Sequence, residues 1–125
     1  MIEVVELASG RTRVFDPGDG VASLTPSRRA VLIVNGAGYA RFDLISGERI
    51  GPVVSADPAF AEEGVFALDA PGFVVTRDAL VRLADGQKTS FPGHWPWRNF
   101  MVSSGDRYFV RANAMVIEVR ALGPL

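Results

Sequence analysis

Three segments of this chain follow one pattern: Val5-Glu6-Leu7-Ala8-Ser9-Gly10, Phe42-Asp43-Leu44-Ile45-Ser46-Gly47 and Val81-Arg82-Leu83-Ala84-Asp85-Gly86. Each runs apolar, charged, apolar, any residue, Ser or Asp, then Gly. The Ser or Asp positions stand 37 and 39 residues apart, and Ile117-Glu118-Val119-Arg120-Ala121 follows 36 residues after Val81 as a degenerate fourth copy. Alternation of this kind sends every second side chain to one face of a strand, and a Ser-Gly or Asp-Gly pair supplies the positive φ that a tight hairpin needs. Each copy therefore reads as a strand entering a turn, and self-similarity at a fixed period is the mark of a repeat architecture.

The segments around each copy complete the unit. Ala30 to Val34, Phe73 to Thr76 and Tyr108 to Val110 are β-branched or aromatic runs that read as the preceding strands. Asn35-Gly36-Ala37-Gly38, Arg77-Asp78-Ala79 and Ala112-Asn113-Ala114 join them to the repeated strand as hairpins. One step earlier lie Val21 to Leu24, Val65 to Leu68 and Phe100 to Ser103; Arg11 to Phe15, Arg49 to Val54 and Gln87 to Phe91 follow the turns as fourth strands. No stretch sustains helical apolar spacing, and Pro58 to Glu63 supplies one turn at most. The expected fold is all-β, made of antiparallel four-strand meanders in units spanning 1-18 (partial), 19-55, 62-92 and 99-125.

A four-strand meander of about forty residues with a Ser-Gly or Asp-Gly turn between its last two strands resembles a β-propeller blade. Phe42 to Gly47 looks most like the blades of WD-repeat and quinoprotein-type propellers. The Trp-Asp dipeptide of the former and the Trp-rich docking motifs of the latter are absent, which leaves the subfamily open and argues against quinone binding. Propellers close with about four to eight blades, and this chain holds about three. Such a resemblance implies a partial ring, or one completed by oligomerisation. In that picture the N-terminal hairpin, Val4 to Phe15, supplies the outer strand missing from the last unit, within the chain or across a subunit boundary. The competing architecture is a monomeric sandwich or small barrel.

Composition narrows the function classes. At 125 residues the chain suits a single domain, and 48% apolar with 22% charged residues is ordinary globular usage. A net charge of -1 makes no field for phosphate backbones or anionic membranes, so neither nucleic acid nor membrane is an expected partner. Without cysteine there are no disulfides, thiolate metal sites or cysteine nucleophiles. The opening Met1 to Glu6 lacks the basic and apolar regions of a signal peptide, and the expected location is cytoplasmic.

The candidate site is Phe91-Pro92-Gly93-His94-Trp95-Pro96-Trp97-Arg98-Asn99, which gathers the only histidine and both tryptophans into one loop. His94, Trp95, Trp97 and Arg98 would serve as ligand- or partner-binding residues through flat indole faces and a planar donor. Against this stands a plainer reading in which the indoles are cement between neighbouring units. No Gly-x-Ser-x-Gly elbow is present, and the aspartates sit mostly in turns, where local hydrogen bonding favours them. Neither a metal nor a cofactor is expected, and Gly36-Ala37-Gly38 is a hairpin rather than a dinucleotide loop. The function expected first is a non-catalytic protein-interaction or assembly module, an immunity-type protein being one form, with self-association included. The alternative is a lectin-like oligomer binding carbohydrate or a small ligand; an enzyme comes last.

Overall fold

A computed structural model describes residues 1–36, 38–55, 64–93 and 96–125. The expected turn of Pro58 to Glu63 lies outside them. The fold is all-β and antiparallel, with a 3-10 turn at Ser104–Asp106, and no helix among the described residues is long and apolar enough to cross a membrane. A hairpin of β1 (Ile2–Val5) and β2 (Thr12–Phe15) precedes three meanders. The first sheet is β3 (Val21–Leu24), β4 (Ala30–Asn35), β5 (Gly38–Asp43) and β6 (Arg49–Val54). The second is β7 (Val65–Ala67), β8 (Phe73–Thr76), β9 (Ala79–Arg82) and β10 (Lys88–Ser90). The third holds only β11 (Asn99–Val102), β12 (Tyr108–Ala112) and β13 (Ile117–Ala121).

Strand periodicity decides how these sheets stack. In β8, Val74 points into a cluster with Leu32, Val34 and Tyr39 of the first sheet, whereas Val75 points into one with Phe109 and Leu122 of the third. Strands β7 and β9 divide in the same way, Val65, Ala67, Ala79 and Val81 to one side and Phe66 and Leu80 to the other. The second sheet is thus buried on both faces, and sheets lie in sequence order, one against the next. The hairpin extends the stack at the other end, where Phe15 packs on Phe42 with ring centroids 6.3 Å apart and beneath Gly47.

Turn geometry confirms the repeat in three copies. The N–H of Gly10, Gly47 and Gly86 donates to the carbonyl of Glu6, Asp43 and Arg82, each at 2.8 Å, with glycine φ of 71°, 74° and 71°. A side chain would strain that backbone. The fourth copy lies elsewhere than Ile117 to Ala121 suggested. The N–H of Leu44, Leu83 and Leu122 reaches back to the carbonyl of Arg29, Gly72 and Arg107, the residue before β4, β8 and β12 respectively. Leu122 is therefore the counterpart of Leu83, and Leu7, Leu44, Leu83 and Leu122 recur at 37, 39 and 39 residues. The apolar-charged alternation of β13 misled because β13 lacks the Gly turn that fixes the register of the others; Gly123-Pro124 stands in its place. The hairpin also does not complete the third sheet within the chain: among the described residues, β1 and β2 pair only with each other.

Polar pins join adjacent sheets at the turns between their first two strands. Asp106 in the β11–β12 turn accepts from the N–H of Asp69 (2.8 Å) and Ala70 (2.7 Å) in the β7–β8 turn. Asp69 in turn accepts from the N–H of Ser27 in the β3–β4 turn at 3.1 Å, and Arg41 of β5 donates to the carbonyls of Leu68 and Ala70. Asp106 is buried at φ 57°, a left-handed conformation that Asp tolerates better than most residues. Asp106→Ala strips two part-buried amides of their acceptor and strains the backbone, so it should cost about 2 to 4 kcal/mol in urea unfolding. Asp106→Asn, which keeps one acceptor, should cost less.

Candidate functional site

The loop after β10 reaches the third sheet and is anchored there by backbone. The N–H of Arg98 donates to the carbonyl of Ala112 at 2.9 Å, prolonging the β11–β12 ladder, and its side chain is exposed. Trp97 is half-buried, with the guanidinium carbon of Arg111 4.6 Å from its ring centroid. One indole face is therefore occupied by a cation of the same chain, and its Nε1 is buried without a partner among the described residues. His94 and Trp95 lie outside those residues, so of the four expected site residues only Trp97 and Arg98 are placed.

Beneath Trp97 lies a charged cluster that sequence reading missed. Arg111 is fully buried and donates through Nε and Nη2 to Glu118 Oε1 (2.9 and 2.6 Å), through Nη1 to the Arg77 carbonyl (2.9 Å) and through Nη2 to that of Pro92 (3.0 Å). Phe91 lies 5.7 Å from the same guanidinium. Arg120 donates to Glu118 from β13 and also lies over Phe91. Only Arg carries enough fixed planar donors to serve a carboxylate and two carbonyls at once while stacking on rings. The sequence held one clue, the i, i+2 pair Glu118 and Arg120 flanking an apolar Val119, but Arg111 reads there as an outward strand residue.

Burial works against the charge of Glu118, yet the hydrogen bonds from Arg120 and Arg111 prevail and hold its carboxyl below the ordinary range. This cluster ties the β8–β9 turn, the 91–98 loop and the third sheet together. Within it Arg111, Glu118 and Arg120 bond to one another and to two backbone carbonyls.

The second notable surface is the outward face of the third sheet. Its positions match those by which the second sheet packs on the third: the cross-strand row Met101, Val110, Val119 repeats the row Phe66, Val75, Leu80. Val75 is 0% exposed, whereas Met101 and Val119 are each 59% exposed. Tyr108 and Ile117 extend the patch, and none of these five residues is charged. Period-two alternation in β13 was visible in the sequence, but the side left uncovered depended on the stacking order. The hairpin has a matching outward side, with Val5, Val14 and Leu7 exposed, Leu7 to 95%.

Arg111→Met should lower stability by about 3 kcal/mol in denaturant unfolding, because the Arg77 carbonyl loses its donor and Glu118 and the Pro92 carbonyl keep only Arg120. Arg111→Lys should recover only part of it. A carboxyl depressed by folding stabilises fully above its unfolded value near 4.5 and loses that contribution as pH falls through the lower folded value. Melting temperature in the wild-type chain should therefore drop across this acid window, and Glu118→Gln, less stable at neutral pH, should show a shallower drop.

No three His, Cys, Asp or Glu side chains among the described residues converge as a metal site. Comparison with known proteins adds no assignment: no family model, no curated protein and no solved structure matches this chain.

Proposed function

We propose that this chain is a non-catalytic interaction and assembly module, a propeller-like stack of sheets that works by presenting an end of the stack to another protein. The supporting observation is the third sheet's outward face, whose positions are the ones the second sheet buries. An uncharged row of large apolar side chains across three strands is a docking surface rather than scattered exposure. The unpaired edge of β13 offers main-chain groups beside it. The carbohydrate alternative would have to use the second face of Trp97, since Arg111 covers the first, or Trp95, which lies outside the described residues.

A photo-crosslinking residue tests this reading in the cells that make the protein. Placed at Val119, it should yield a discrete adduct, with another protein or with the chain itself. The same residue at exposed Arg49 of β6 should yield none. Absence of an adduct at position 119, with the protein folded and abundant, would overturn the proposal.

A further inference from the structure

We infer that the partner on this face is a second copy of the chain, docked head to tail, with the outward side of its N-terminal hairpin covering the third sheet; this rests on the reading above. The two faces are not alike, and that asymmetry carries the inference. Every sheet has a side turned to its predecessor and a side turned to its successor. Leu83 belongs to the side turned to the predecessor, and it is buried with Leu32, Val34 and Tyr39 of the first sheet. Leu122 does the same with Leu68 and Val75 of the second.

Leu7 is the same residue of the repeat, followed by the same Gly turn, yet among the described residues no predecessor sheet covers it and it stands 95% exposed. Val5 occupies the place of Val81, which is 0% exposed in the second sheet, but is itself 48% exposed. The hairpin thus carries a predecessor-seeking side, and the third sheet carries the successor-seeking side, Met101, Val110 and Val119. Joining one to the other continues the interface already made twice within the chain. A face-to-face pairing of two third sheets would bring two successor-seeking sides together, an arrangement the stack nowhere uses.

The contact is small. A two-stranded hairpin spans about 10 Å across its strands, so it covers less than the roughly 800 Å² per partner of a standard stable interface. Association is accordingly reversible and concentration-dependent, and a heterologous contact of this kind builds rings if its rotation closes and open chains if it does not.

The test uses the purified full chain in sedimentation velocity from micromolar to millimolar concentration. Mass should rise with concentration. Leu7→Asp and Val119→Asp alter exposed positions on opposite ends, so both should keep the wild-type melting temperature while each weakens association about tenfold or more. Each variant retains one intact face, and an equimolar mixture should form a heterodimer that neither forms alone. A wild-type chain monomeric throughout, a Leu7→Asp protein that associates like wild type, or a mixture that stays monomeric would each overturn the inference. A monomeric chain that still gives a crosslink at position 119 to a different protein would overturn it while leaving the interaction reading intact.

Discussion

Burial of the second sheet on both faces is the constraint on which the rest depends. A sheet that is apolar on both faces needs a neighbour on each, and a hairpin alone is marginal at best. Here β8 contributes Val74 to one interface and Val75 to the other, so a single strand anchors both clusters. Stability is therefore shared between neighbours rather than owned by any sheet, as in stacked repeat proteins. The outermost layers have only one neighbour each. The second sheet, with a neighbour on each face, carries none of the strongly exposed large apolar side chains, which fall on the hairpin, the first sheet and the third sheet.

Polar groups do a different task. Apolar faces can slide, and the carboxylates of Asp69 and Asp106 fix neighbouring turns in register by binding backbone amides across the gap. Arg111 fixes the third sheet against the loop that leads into it. Burying a guanidinium is costly unless its donors are satisfied, and here Glu118, two carbonyls and two aromatic rings surround it. Within the loop read as a candidate binding site, Trp97 lies over this ion cluster.

Strand positions and hairpins were legible in the sequence because alternation and Gly turns are local signals. Leu83 and its Asp-Gly turn sat where the pattern put them. The fourth copy was misread by three residues because β13 supplies alternation without the turn, and alternation alone fits several registers. The role of Trp97 was not legible, since it depends on Arg111, fourteen residues later in the chain. Nor was the exposed row of the third sheet, because which face of β13 is covered depends on the order of stacking.

The turn-to-turn pins have a direction. Each carboxylate belongs to the later sheet and grips amides of the earlier one, and Leu83 and Leu122 likewise reach back to sheets already passed in the chain. Each later meander thus docks on residues that precede it in the chain, through pins only about forty residues apart in sequence.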